Sequence, residues 1–394
     1  GEVSIEMELP KLLWLKRRFP ERWQKVQRFH DLADHIVWRA TGADVASVCT
    51  LGCKWNWLAH EARFPAAMLD AVGLDDLFER VPTRVAPLGS IAGRLTPEAA
   101  RAMGLPAGIA VATGIIDAHA GGLALVGAAP EGTLALIGGT SNCHMVASHD
   151  AVMVPGVWGP YLGAMIPGLW LNEGGQSAAG ALIDWTIRRS SAHAALEAQA
   201  KAEGRDVYTL LNAQVAALAA REGEPARHLH VLPDHHGNRS PRADPHARGT
   251  IVGLTLEDEG EALPRLYLAT IQALAYGTRH IVEAMNASGH RIERLVMCGG
   301  GTKNPLLLAE HADALGMPIH LVEDEDAVTL GAGLLAAVAS GSFPDIAAAA
   351  AAMVRPGGMI APNPARRAFH DAKYGVFLAL YDQQKRAREI MTGV

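Results

Sequence analysis

Three glycine-rich stretches carry the polar side chains of this sequence that are best placed to do chemistry. Gly114-Ile115-Ile116-Asp117-Ala118-His119-Ala120-Gly121-Gly122 follows a small-residue, β-compatible run over 109–113. One carboxylate is thereby delivered at a strand end, among glycines that admit another molecule close to the backbone. Gly138-Gly139-Thr140-Ser141-Asn142 closes the apolar run 133–137 in a turn with backbone and side-chain donors, which suits a tetrahedral oxyanion such as phosphate. Trp170-Leu171-Asn172-Glu173-Gly174-Gly175-Gln176-Ser177 reads as a third polar turn, with Glu173 and Gln176 available for hydroxyls. It leads into a helix on which small Gly180 lets a ribose or base lie against the backbone. Together these features suggest that Asp117 removes a proton from a hydroxyl, whose oxygen attacks a phosphoryl group held by the second turn. Plainer readings are a helix cap for Asp117, a hairpin turn for 138–142 and an exposed Glu173 at a tight helix start.

Two further segments add binding chemistry. Thr50-Leu51-Gly52-Cys53-Lys54-Trp55-Asn56-Trp57 mixes one cation with two indoles, either the wall of a polar ligand site or packed aromatics beside a solvated lysine. Cys298-Gly299-Gly300-Gly301-Thr302-Lys303-Asn304-Pro305 follows a strand over 292–297; its glycines let a flat ring or phosphate lie on the backbone, and Asn304 opens a helix. The turn over 138–142 is not a Walker A loop, and no glycine follows Gly301 at the Rossmann spacing, which disfavours a dehydrogenase. Four histidines between His230 and His246 lack the helical spacing of metal ligands, and Pro241 and Pro245 make that segment a stiffened loop.

The elements that must position these residues alternate between strand and helix. Helices are predicted over 10–19, over 20–42 with Trp23, Val26, Phe29, Leu32, Ala33, Ile36 and Val37 on one face, over 95–104, over 194–220, over 266–287 and over 327–340. Strands are predicted over 133–137, 229–233, 249–254, 292–297 and 318–322, loops over 73–77 and 82–89, and a hinge near 121–132. With 49% hydrophobic but only 5% aromatic residues, the core of this 394-residue chain must be built mainly from Ala, Leu, Val and Ile. A net charge of −6 without a long Lys/Arg cluster argues against a nucleic-acid partner. Cys49, Cys53, Cys143 and Cys298 are too scattered for a disulfide framework or a zinc site, and fit a reducing cytoplasm. The start has no signal-peptide pattern, and no apolar run is long enough to cross a bilayer.

Taken together, 114–122, 138–142, 173–180, 237–245, 249–254 and 299–304 resemble, in order and setting, the FGGY carbohydrate kinases. Gly237-Asn238-Arg239-Ser240-Pro241 and Cys53-Lys54-Trp55 look like loops of the ribulokinase-like members. The resemblance implies an α/β, actin- and hexokinase-like ATPase fold of two ribonuclease-H-like domains. The division it suggests is 1–127 as the later part of the sugar-binding domain, 128–355 as the nucleotide-binding domain and 356–394 as a tail with one helix over 374–390. It implies ATP and Mg²⁺ as cofactors, with no metal ligand assigned in this chain, and a pentulose or pentitol as substrate. Asp117 would be the general base, and Lys54 and Glu173 would contact the sugar. Thr140, with Gly139 and Ser141, would meet the terminal phosphates, while Gly180, Asp184, Gly300, Gly301 and Asn304 would line the adenosine pocket. A homodimer is the expected assembly.

Two departures accompany the resemblance. Arg265 stands where another polar residue is expected, with extra residues over 257–261 read as a surface loop. The family's opening Asp-x-Gly-Thr/Ser turn does not occur near the start, so the first domain is expected to be incomplete here, as in a piece of a longer protein. Two other functions stay open: an actin-like nucleotide-binding module without kinase activity, and a hydrolase using Asp117 and Glu173 as a carboxylate pair.

Overall fold

The run Thr133-Leu134-Ala135-Leu136-Ile137 sets the frame, because a strand sends successive side chains to opposite faces. Leu134 and Leu136 point into one apolar layer and Ala135 into another, so both faces of this strand are covered. The computed structural model describes residues 4–82, 84–256, 258–324 and 326–392. Residues 1–3 and Glu257 lie outside the described residues; of the surface loop expected over 257–261, residues 259–261 form instead the start of a long helix.

The first part contains helices α1 (Glu8–Arg18), α2 (Pro20–Lys25) and α3 (Leu32–Thr41), strand β1 (Val45–Ser47), and helices α4 (Val48–Lys54) and α5 (Ala66–Val72). Strands β2 (Arg84–Ala86) and β3 (Ile91–Arg94), helix α6 (Pro97–Met103), strand β4 (Ala110–Ala112) and helix α7 (Asp117–Val126) follow. The middle part contains β5 (Thr133–Gly138), β6 (Asn142–Ser148), β7 (Trp158–Leu162), β8 (Trp170–Gln176), α8 (Gly180–Arg189), α9 (His193–Glu203), α10 (Val207–Glu222), β9 (His230–Leu232) and β10 (Thr250–Val252). The last part contains α11 (Glu259–Ala287), β11 (Arg294–Cys298), α12 (Pro305–Leu315), β12 (Ile319–Val322), α13 (Ala327–Ala339), α14 (Ile346–Met353), β13 (Pro356–Ile360) and α15 (Arg367–Thr392).

Seven of these strands form one sheet in the order β13-β12-β11-β5-β6-β8-β7. Its centre, β12-β11-β5, is parallel, and β6, β8, β7 and the edge strand β13 run antiparallel to their neighbours. Leu134, Leu136, Leu295 and Met297 bury one face against α8, α11 and α12. Ala135, Met145 and Val296 bury the other against α7, α13 and α14. Close approach on this second face is taken furthest at Gly331 of α13, where an added Cβ would collide with the carbonyl oxygen of Ala120 in α7. Gly121 and Gly122 are buried inside α7, so the first part of the expected hinge is a packed helix.

Several elements differ from expectation. The helix expected over 20–42 is two: the chain turns extended at Val26 (ψ 121°), Phe29 N–H donates to the Arg80 carbonyl at 2.6 Å, and Asp31 caps α3 by accepting from Ala33 N–H at 3.3 Å. The register changes with the break, so Ile36 is 56% exposed while Val37 is buried. The helix over 194–220 also divides, because Gly204 takes a left-handed conformation (φ +62°) and Asp206 caps a new start by accepting from Thr209 N–H at 2.9 Å. Residues 84–86, expected in a loop, form β2.

The largest correction concerns 170–177, which is not a turn but β8, a strand inside the sheet. Its glycines serve close approach rather than turning: a Cβ on Gly174 would lie 2.8 Å from Ile281 of α11, and one on Gly175 would lie 2.9 Å from the Arg239 guanidinium. After Pro356 the chain adds a sheet strand, β13, and a helix that begins well before residue 374. That helix is anchored by Lys373, whose buried ammonium donates to the Leu229 carbonyl at 3.0 Å and to Gln272 Oε1 at 2.7 Å. Among the described residues no helix is long and apolar enough to cross a membrane.

Candidate active site

Three backbone turns converge on one side of the sheet. The β5–β6 hairpin places Gly139, Thr140 and Ser141 at its tip, and the start of α8 docks on it: Ala179 N–H donates to the Thr140 carbonyl at 2.9 Å and Gly180 N–H to the Gly139 carbonyl at 3.0 Å. A Cβ on Gly180 would sit 2.6 Å from the Gly139 oxygen. The missing side chain therefore makes room for the hairpin, a use the sequence did not suggest. At the end of β11, Gly299 (φ +94°) turns the chain past Gly138, where any side chain would collide with the carbonyl. Gly300 follows with open space beyond it.

Between these turns lies a cavity of about 910 Å³, lined among others by Gly139, Thr140, Gly180, Asp184, Gly300, Gly301 and Asn304. Seven of the eight nucleotide-site residues expected from the sequence thus share one cavity. Ser141 is the exception: it stays on the hairpin tip, its carbonyl accepting from Gly139 N–H at 3.0 Å. Asp184 lines the wall while gripping Arg188 Nε at 2.7 Å. Asn304 caps α12 by accepting from Leu306 N–H at 3.1 Å, and its amide donates to Tyr267 Oη at 2.7 Å. Asn212 closes a triangle, donating to Asn304 Oδ1 and accepting from Tyr267 Oη, both at 3.0 Å. The volume, the open glycine backbone and the fixed amides suit a purine nucleotide with its phosphates toward the hairpin. Among the described residues no group of three or more His, Cys, Asp or Glu side chains is arranged to hold a metal ion.

A second cluster surrounds Glu173. Asp117 is the first residue of α7, exposed, with Oδ1 accepting from Ala118 N–H at 2.7 Å. Two residues later the same helix turns His119 inward, where its Nε2 lies 3.0 Å from Glu173 Oε2 and its Nδ1 lies 3.1 Å from Cys49 Sγ. Arg239 donates to the other oxygen of Glu173 and stacks 3.9 Å from the centre of the Trp158 ring. Lys54, the last residue of α4, holds its ammonium 4.9 Å from the same ring. The structure thus gathers Lys54 and Glu173 around one indole, and ties the helix that starts at Asp117 to Glu173 through His119.

Charge orders this cluster. Burial opposes ionisation of Glu173, yet the hydrogen bond and charge of His119, with Arg239 and Lys54 beyond, bring its pKa down to about 2. Burial equally opposes the imidazolium, but the charge and hydrogen bond of Cys49, then Glu173, lift His119 to about 10. Cys49, against the cost of burial, is drawn down by its hydrogen bond from Cys53 and by the positive His119. Sulfur, imidazole, carboxylate and guanidinium thus follow one another along the line, with the shifts of His119 and Glu173 each favouring the charged form.

Gln176, expected to bind hydroxyls, is spent on architecture. Its Oε1 accepts from Asn142 Nδ2 at 2.7 Å and its Nε2 donates to the Leu274 carbonyl at 2.9 Å, in space left by Gly277. The sequence reading passed over His119 and Arg239 as site residues, although both lie in stretches it singled out. Trp158, Asn212 and Tyr267 carry no local signal, since only the fold brings them near.

Comparison with known proteins places these features. The N-terminal domain of the FGGY family of carbohydrate kinases matches residues 4–124, and its C-terminal domain matches residues 134–340. An FGGY carbohydrate kinase domain-containing protein of Danio rerio is 45% identical over 412 residues, covering 99% of this chain and 75% of that protein. A ribulokinase of Mycolicibacterium smegmatis is 34% identical over 397 residues, covering 99% of this chain and 68% of that protein. Among solved structures, a xylulose kinase from Rhodospirillum rubrum superposes with a TM-score of 0.78 at 28% identity, over 96% of this chain and 72% of that one. A Plasmodium falciparum glycerol kinase with ADP shares the fold, with a TM-score of 0.73 at 16% identity, over 94% of this chain and 71% of that one.

Proposed function

Because this chain belongs to the FGGY family of carbohydrate kinases and has its two-domain, actin- and hexokinase-like ATPase fold, we propose that it phosphorylates a pentulose or pentitol, ribulose- or ribitol-like, at the expense of ATP. The observation that carries this reading is the pairing of a 910 Å³ nucleotide-sized cavity at the β5–β6 hairpin with the Lys54–Glu173 cluster on the same sheet. ATP supplies the γ-phosphoryl group. The hairpin tip around Thr140 orients its phosphates, Lys54 and Glu173 hold sugar hydroxyls, and Asp117 takes the proton of the attacking hydroxyl as its oxygen bonds to phosphorus and ADP leaves. The residues present supply no metal-ligand cluster among the described positions, so no step is routed through Mg²⁺. The ribulokinase relatives support a pentulose over a longer sugar.

The test is ADP release across a panel of D-ribulose, L-ribulose, ribitol and xylulose, with Asp117→Asn beside the parent. Sugar-dependent release that falls at least about a hundredfold in the variant supports the assignment. Retained turnover removes Asp117 from the role, and ATP binding without sugar-dependent release in the parent points instead to a nucleotide-binding module.

A further inference from the structure

The cluster around Glu173 holds more buried chemistry than hydroxyl recognition requires. Cys49, His119 and Glu173 are 0%, 1% and 3% exposed, so the whole line is shut off from bulk solvent; in the reading above the carboxylate is the member that meets the sugar, with the other two lined up behind it. Their order, sulfur to imidazole to carboxylate, is that of a hydrolase nucleophile with its base and orienting acid. No acyl substrate can approach a sulfur with that burial. A different task fits the geometry.

We propose that His119, braced by the sulfur of Cys49, is a positioning residue that fixes the Glu173 carboxylate in the orientation in which it meets the sugar. This rests on the assignment of Glu173 as a sugar contact. A free glutamate carboxylate rotates about its terminal bond; this one is pinned at both oxygens, by His119 Nε2 at 3.0 Å and by Arg239. An imidazole donates from both nitrogens only when it carries both protons. His119 has a partner at each end, Cys49 Sγ at 3.1 Å and Glu173 at 3.0 Å, so its ring cannot flip without breaking both contacts. Cys53 Sγ, one turn after Cys49 on α4, stands 3.9 Å from the same Nδ1 and limits the ring further.

The placement along the chain strengthens the argument. Cys49 shares α4 with Lys54, and His119 shares the first turn of α7 with Asp117. The line from Cys49 through His119 to Glu173 therefore ties together α4, α7 and β8, the three elements that carry the residues assigned to the sugar. Burial of the line keeps water from competing for its hydrogen bonds.

Two substitutions separate its two ends, because a glutamine amide nitrogen reaches about where Nε2 lies and an asparagine amide only about where Nδ1 lies. His119→Gln keeps a donor toward Glu173, whereas His119→Asn keeps contact with Cys49 alone. The expected result is a rise in sugar KM of about tenfold or more in His119→Asn, the size of one charge-assisted hydrogen bond, largely restored in His119→Gln, with ATP KM unchanged in both. Equal rises in the two variants, or ATP KM moving with sugar KM, overturn the proposal. Should the parent release no ADP with any sugar, the phosphotransfer reading falls by itself, and the same split is read as the sugar dissociation constant by calorimetry; no sugar binding overturns this proposal too.

Discussion

Gly331 on α13 meets the carbonyl oxygen of Ala120 on α7 with no space for a Cβ between them. The obstacle is backbone on both sides, so it cannot swing away as a flexible side chain would. Gly331→Ala must therefore push α7 off the sheet and carry Asp117 and His119 with it. The expected cost is about 1–3 kcal/mol in chemical denaturation, as for other overpacked cores. Sugar-dependent turnover should fall by as much as about a hundredfold, the penalty of a reacting group displaced by about 1 Å. Parental turnover with only the stability loss would show that the placement of α7 does not govern the chemistry.

Asn304 does two jobs, capping α12 and orienting Asn212 at the cavity wall and the buried Tyr267 behind it. Asn304→Ala removes the cap, worth about 0.5–2 kcal/mol, and frees the triangle that faces the nucleotide cavity. Nucleotide titration should show weaker binding while sugar KM stays at the parental value. Weakening of both to the same degree would mean that the change is one of folding alone.

For Glu173, the sign of the pH effect follows from the shift. Its pKa is about 2 in the folded chain against an ordinary value of 4.5, so the stabilisation is complete above 4.5 and is lost as pH falls through about 2. Glu173→Gln leaves His119 and Arg239 without their counter-charge, at a cost of about 3–5 kcal/mol near neutrality. The difference between parent and variant in thermal or denaturant melts should narrow as pH drops from 4.5 toward 2. A gap independent of pH over that window would mean that Glu173 gains nothing from its charge.

Outside the lining of the cavity, Arg366 binds Glu310 at 2.7 Å, Asp313 at 2.8 Å and Glu224 at 2.9 Å. Glu310 is 2% exposed, and burial already pushes its pKa up against the pull of Arg366. Arg366→Met should destabilise by about 3–5 kcal/mol because it strands a buried acid. Sugar KM and ATP KM should not move; a shift in either would tie this network to the active site.

Legibility from sequence followed the range of the interactions. The strand over 133–137 was readable because alternation and burial are written in consecutive residues, and Asn304 was readable because a cap acts within three residues of itself. The break in the helix over 20–42 was not, since it depends on Phe29 donating to Arg80, a partner brought close only by the fold. Glycines misled at 170–177, where Gly174 and Gly175 make room for Ile281 and Arg239 instead of turning the chain. Seven of the residues read as a nucleotide site share one cavity because most of them sit on recognisable turns, whereas nothing local showed that Gly180 also makes room for the hairpin. Trp158 stayed hidden, as nothing near it in sequence records that Arg239 and Lys54 settle on its ring.

Strand β8 gives the molecule one more property. It carries Glu173 at its middle and Gln176 at its end, the latter held by Asn142 beside the phosphate turn and by the Leu274 carbonyl of α11. Three residues of extended chain span roughly 10 Å, a length that side-chain motion cannot change. Under the proposed assignment the two substrates thus sit on a common rigid rod. A substitution that shifts the strand at one substrate is therefore expected to be felt at the other.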